Sequence, residues 1–160
     1  MPQGIVKPAN QVLVLDLGCR VVDMEIGAAA TAAQMVPGRC VIFDGADQTV
    51  KEAGAKARNV VGVLEAAPGM KVTDAYARGD IAKVIIGKFL GAITLLASEN
   101  VTRGDGLVSA ANGKFAKQAV GAMGAQGAVI GKTYESSNVT VDATILAELD
   151  TTNCDAAAVS

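Results

Sequence analysis

Val101-Thr102-Arg103-Gly104-Asp105-Gly106-Leu107-Val108-Ser109-Ala110-Ala111-Asn112-Gly113-Lys114-Phe115-Ala116-Lys117 is the stretch whose reading decides the fold. It holds a Gly-Asp turn, the apolar run Leu107-Val108, an Asn112-Gly113 turn and a return strand from Lys114 to Lys117. Asn-Gly between short strand-like runs is the strongest local hairpin signal, because a type I′ turn needs two residues that tolerate positive φ. Downstream come a Gly/Ala-rich loop, the run Ala128-Val129-Ile130-Gly131, and a segment from Val139 to Leu149. In Val139-Thr140-Val141-Asp142-Ala143-Thr144-Ile145 the odd positions are apolar and the even ones polar, the pattern of a half-buried strand.

The same order of elements occurs earlier in the chain. Cys40 to Phe43 reads as a strand, Asp44-Gly45-Ala46-Asp47 as its turn, and Thr49 to Lys51 as the return. Asn59 to Leu64 reads as another strand. Val41-Ile42 aligns with Leu107-Val108, and Lys51-Glu52-Ala53 falls on Lys117-Gln118-Ala119. After a three-residue insertion, Asn59-Val60-Val61-Gly62 falls on Ala128-Val129-Ile130-Gly131. The reading is a hairpin–loop–strand unit used twice, about 38–65 and 104–135.

Elsewhere the signals are weaker. Val12 to Leu15, then Val22 to Ile26, predict two early strands around Gly18. The Ala-rich segment from Gly27 to Val36 fits a short helix or a strand and loop, since Ala alone discriminates poorly. Arg78-Gly79-Asp80, Ile81 to Ile86, a Gly87-Lys88 turn and Phe89 to Leu96 suggest a second hairpin. Residues 1–10 carry Pro2, Gly4 and Pro8 and read as an extended N-terminal arm, either a frayed terminus or a segment that adds to a partner's sheet edge. Residues 11–149 read as one β-rich domain, and 150–160 as a loose tail. The expected fold is mainly β: a compact β-barrel or sandwich of short hairpins, β-tulip-like, with at most one or two short helices.

Composition narrows the function classes. The chain has 160 residues and a net charge of −2, with 14 basic and 16 acidic residues. No basic stripe is present, and aromatics make up 3% of residues, which argues against nucleic-acid binding. Histidine is absent, which removes the Ser-His-Asp and Cys-His systems and most zinc or copper sites. Cys19, Cys40 and Cys154 form no CxxC, and an odd count argues against a disulfide framework. Cys19 and Cys40 read as small core residues rather than reactive thiols. No run reaches the length of a membrane span and no leader is evident, so a soluble cytoplasmic product with no membrane partner is expected.

Few motifs carry chemistry. Gly121 to Gly127 is Gly-rich but has no Lys-Ser/Thr and precedes a strand-like run, so it reads as a connector, not a phosphate loop. Asp44 with Asp47, and Asp23 with Glu25, are the closest carboxylate pairs. The first sits in a turn where Asp bonds its own backbone, and the second lies on a strand's polar face. Arg-Gly-Asp occurs at 78–80 and 103–105, where Gly-Asp suits the tight turn that precedes each strand. No enzyme activity, cofactor or metal is expected.

From about Val60 to Leu149 the chain resembles the capsid decoration (cement, head-stabilising) proteins of tailed bacteriophages and related archaeal viruses. The stretches that carry this are Val61-Gly62-Val63-Leu64-Glu65, Val84-Ile85-Ile86-Gly87-Lys88-Phe89 and Arg103-Gly104-Asp105-Gly106-Leu107-Val108. Asn112-Gly113-Lys114, Ala128-Val129-Ile130-Gly131-Lys132 and Val139-Thr140-Val141 complete the set. The resemblance implies a protein without an active site that binds the outside of an expanded icosahedral shell and clamps major capsid subunits. It also implies self-association, often as a homotrimer near threefold positions, and a virion location after synthesis in the host cytoplasm. The N-terminal third departs from the pattern. The candidate capsid-docking arm is Gln3, Gly4, Ile5, Val6, Lys7, Pro8, Val12, Leu13 and Val14, acting by strand addition or apolar contact. Other readings are a tail-tube or head-fibre component, a small soluble β-barrel that binds a ligand, and a small enzyme using Asp44 and Asp47.

Overall fold

The computed structural model describes residues 7–119 and 128–152. Its strands are β1 (Leu13–Ile26), β2 (Cys40–Phe43), β3 (Thr49–Glu52), β4 (Val60–Glu65), β5 (Ile81–Leu95) and β6 (Asn100–Val101). Then come β7 (Gly106–Ser109), β8 (Phe115–Lys117), β9 (Gly131–Thr133), β10 (Ser137–Asn138) and β11 (Ala143–Asp150). Helix among the described residues is confined to two 3-10 turns, Ala32–Gln34 and Ala111–Gly113. The chain is mainly β, as its patterning predicts.

Strand β5 is the axis of the molecule. Its residues are apolar almost throughout, because a strand covered on both faces needs no polar side. Ala82 and Val84, with Ile86 packed against them, share one core with Ile26, Val41, Val50 and Leu64. Ile85, Phe89, Ile93 and Leu95 point the other way, into a core with Leu107, Phe115, Ile130, Ile145 and Leu149. Each large side chain buried in this way contributes about 1.5–3 kcal/mol.

The hairpin expected at Gly87-Lys88 is therefore corrected: the strand runs straight through. On one flank β5 pairs antiparallel with β4 at Lys83 to Ile85 and then with β11 from Lys88 to Leu95. On the other flank β1 pairs with it from Ile81 to Gly91. Each half thus finds partners distant in sequence, and folding back would forfeit them.

The two early strands expected around Gly18 are likewise one strand. β1 carries register shifts between Leu13 and Leu15 and between Asp16 and Cys19. Such bulges absorb an extra residue without ending the pairing. The Asp16 carboxylate caps the second one, accepting from the N–H groups of Gly18 and Cys19, both at 2.8 Å.

The pairings close into two circuits that share β5. One runs β1–β3–β2–β4–β5 and back to β1; the other runs β5–β11–β9–β7–β8 and back to β5. The circuits match in detail. Val41 pairs with Gly62, and Leu107 pairs with Gly131. Ile26 pairs in parallel with Val50, and Leu95 in parallel with Phe115. Gly38 N–H donates to Leu64 O at 2.9 Å, and Gly104 N–H to Thr133 O at 2.7 Å. Relative to the first circuit, the second is thus offset by 66 residues at β2/β7 (41 to 107) and 69 at β4/β9 (62 to 131).

The Asn112-Gly113 hairpin is present, with φ of 61° and 72° at its two central residues. The hairpin of β2 and β3 also stands as read. Two boundaries move. The strand expected from Val139 begins at Ala143, because the Asp142 carboxylate is drawn aside to Ala97 N–H (3.0 Å) and Lys114 Nζ (2.7 Å). Val139 and Val141 are left exposed. The run Ala128 to Gly131 becomes strand only at Gly131. The Ala-rich segment resolves as a loop with a single 3-10 turn.

Candidate interaction surface

The described part of the arm is tied to its own chain. Lys7 Nζ reaches Glu135 Oε2 at 2.8 Å and Thr144 O at 3.1 Å. Ala9 O accepts from Val72 N–H at 2.9 Å. Residues 7–9 therefore bridge the second circuit and the loop that follows β4. Pro8 lines a cleft of about 260 Å³ with Val36, Arg39, Val72, Ala92 and Thr144. Of the nine docking candidates, Gln3, Gly4, Ile5 and Val6 lie outside the described residues.

Val12, Leu13 and Val14 belong to the frame. Val12 is fully buried, and Leu13 and Val14 are half-buried members of β1. The buried Glu65 carboxylate holds this entry, accepting from Val12 N–H at 2.6 Å, Leu13 N–H at 2.8 Å and Ala66 N–H at 2.7 Å. Among the described residues, the arm thus presents Lys7, Pro8, Ala9 and Asn10.

Beside Lys7 and Glu135 runs a segment with three exposed large side chains, Tyr134, Val139 and Val141. Its charges are paired locally. Tyr134 O–H donates to Glu148 Oε2 at 2.8 Å, and Lys88 and Lys132 stand 3.3 and 3.7 Å from the same carboxylate. Tyr134's hydrogen bond, followed by the lysines, holds Glu148 below the usual carboxylate pKa against slight burial.

A second exposed set lies on β1: Leu15, Leu17 and Val21. The sequence reading places Leu15 in the first of the two early strands and Leu17 and Val21 in neither. Only the sheet order reveals that, among the described residues, β1 is bonded to β5 along one edge and to β3 at Glu25 and Ile26 alone on the other.

In each carboxylate pair one member makes contacts that hold the fold. Asp44 accepts from Ala29 N–H (3.0 Å) and Gly45 N–H (2.8 Å), which depresses its pKa and suits a turn cap, not a proton donor. Asp23 pairs with Lys83 at 2.6 Å. Both Arg-Gly-Asp triplets sit in turns, where Asp80 and Asp105 accept from Ala77 and Thr102 N–H, each at 2.8 Å. Burial, and then Asp16, raise the Cys19 thiol pKa, while Cys40 is fully buried. Among the described residues no three metal-ligating side chains converge, and no helix is long and apolar enough to cross a membrane. The Gly121 to Gly127 loop and Cys154 lie outside the described residues.

No protein-family model matches the chain, and no curated protein does. Among solved structures it is similar to the N base of head fiber gp8.5 of bacteriophage phi29. That match has a TM-score of 0.49 and 12% identity, covering 85% of this chain and 99% of that one.

Proposed function

We propose that this chain is a non-enzymatic virion structural protein that attaches to the outside of an expanded capsid and stabilises it by bridging major capsid subunits. The observation that carries this reading is the placement of the arm. Lys7 brings its described end alongside the segment that exposes Tyr134, Val139 and Val141. The arm beside exposed apolar side chains offers an adhesive surface, and the charges next to it, Lys7 with Glu135 and Glu148 with Lys88 and Lys132, are paired within the chain. The residue pattern shared with decoration proteins points the same way. Attachment at many symmetric positions lets modest contacts hold a shell, and binding free energy adds to shell stability by mass action.

Co-sedimentation with expanded capsids of the source virus tests it. The full chain is expected to pellet with capsids and raise their melting temperature. Removal of residues 1–10 is expected to weaken binding while lowering the chain's own melting temperature only slightly, through loss of the Lys7–Glu135 pair and of the acceptor Ala9 O for Val72 N–H. Undiminished binding of the truncated chain would remove the arm from the reading. A full chain that ignores capsids, or polymerises into tubes, would overturn it in favour of a tail component.

A further inference from the structure

The match between the two circuits exposes a vacancy on β1. Strand β5 is to the second circuit what β1 is to the first: Ile26 and Leu95 hold equivalent parallel pairings with Val50 and Phe115, 69 residues apart (26 to 95). The same offset carries Gly18 onto Gly87 (18 to 87), and both adopt positive φ, +122° and +109°. On β5 this glycine is covered. A Cβ built on Gly87 would stand 2.8 Å from Gly18 O and 3.0 Å from Cys19 Cα, so the missing side chain makes room for the backbone of β1. A Cβ built on Gly18 meets nothing within 4 Å.

The hydrogen bonds show the same contrast. On β5, Ala92 N–H donates to Val12 O at 3.0 Å. The equivalent group on β1 is Asp23 N–H, 69 residues earlier (23 to 92). Glu25 shares that edge and donates to Gln48 O at 3.0 Å, and alternate residues of a strand direct their peptide groups to the same edge. Asp23 and Val21 therefore face outward, and no described residue pairs with them there. An open edge of this kind is a template for strand addition.

We propose that a second copy of this chain covers the edge, its β1 antiparallel to this one about a twofold axis near Gly18. The strand seen to fit against a glycine of this conformation is β1 itself, where it lies on Gly87. A twofold sets each copy's Gly18 beside the partner's Gly18, so that the absent side chains make room for both backbones. Leu15, Leu17 and Val21, exposed in the single chain, are then partly covered from both sides. This contact is separate from the arm and the Tyr134–Val141 strip, so it stands or falls independently of capsid binding.

Light scattering and amide exchange on the full chain over a concentration series test this. The expected result is a dimer that dissociates on dilution, with protection at Val21 and Asp23 following the dimer fraction. Val21→Lys places a solvated charge on the edge at an exposed position and should weaken the dimer at least ~10-fold with unchanged melting of the monomer. Gly18→Ala puts a methyl group into the joint. It is strained at this φ, so the lysine variant decides if the alanine variant fails to fold. A chain that stays monomeric, forms a trimer, or dimerises undisturbed by Val21→Lys would overturn the proposal.

Discussion

Thr151 clasps Gly87: its Oγ1 accepts from Gly87 N–H at 2.9 Å, and its own N–H donates to Gly87 O at 3.1 Å. This pair holds the midpoint of β5, where the strand passes from one circuit to the other and where no turn forms. Thr151 is buried, so Thr151→Val should leave Gly87 N–H without an acceptor and cost about 1–3 kcal/mol. Urea denaturation should show a lower midpoint at an unchanged slope.

Glu65 serves three backbone donors at the start of β1. Glu65→Gln would turn an N–H₂ group toward at least one of them, leaving a buried donor facing a donor. The expected loss is about 2 kcal/mol, with faster amide exchange at Val12 and Leu13 in particular. Exchange rates unchanged at those two amides would refute the role assigned to this carboxylate.

Burial divides β5 from β1 in a way that mutation should read directly. Phe89 is fully buried, and Phe89→Ala should cost about 3–5 kcal/mol through lost transfer energy and a residual cavity. Leu15 is 52% exposed, and Leu15→Ala at concentrations where the chain is monomeric should change stability by under about 0.5 kcal/mol. Similar thermal shifts for the two variants would contradict the assignment of the core.

Asp142 should make part of the stability acid-labile. Its pKa is lowered mainly by the hydrogen bond from Lys114, against partial burial, with help from Ala97 N–H and the Arg39 charge. A carboxylate with a depressed folded-state pKa stabilises fully above its ordinary value and loses that contribution as pH falls through the depressed one. The side chain is about a third exposed, so solvent screens the pair and the effect should be modest. Melting temperature followed from neutral pH into the acid range should fall less steeply for Asp142→Asn than for the parent chain.

Local chemistry was legible where a residue type answers a backbone demand. Asn112-Gly113 supplies two positive φ values and joins β7 to β8 as a hairpin, and Asp80 and Asp105 close their own turns. These elements need no knowledge of the rest of the chain. The two Gly-marked breaks at Gly18 and Gly87 were misleading for the same reason. A glycine at positive φ serves a turn and a bent, continuous strand equally well, and periodicity cannot separate the two.

The candidate surface divides in the same way. The sequence by itself determined that the chain is mainly β, that Asn112-Gly113 and the segments closed by Asp80 and Asp105 turn, and that histidine is absent. Only the tertiary structure decided that β5 continues through Gly87, that Val12 to Val14 are frame and not arm, and that among the described residues one edge of β1 is paired only at Glu25 and Ile26. The physical reason is range. A turn is settled by the torsional preferences of two or three neighbouring residues. Which flank of a strand is covered depends on segments such as β4, β11 and Thr151, distant in the chain and brought together by burial of a shared core.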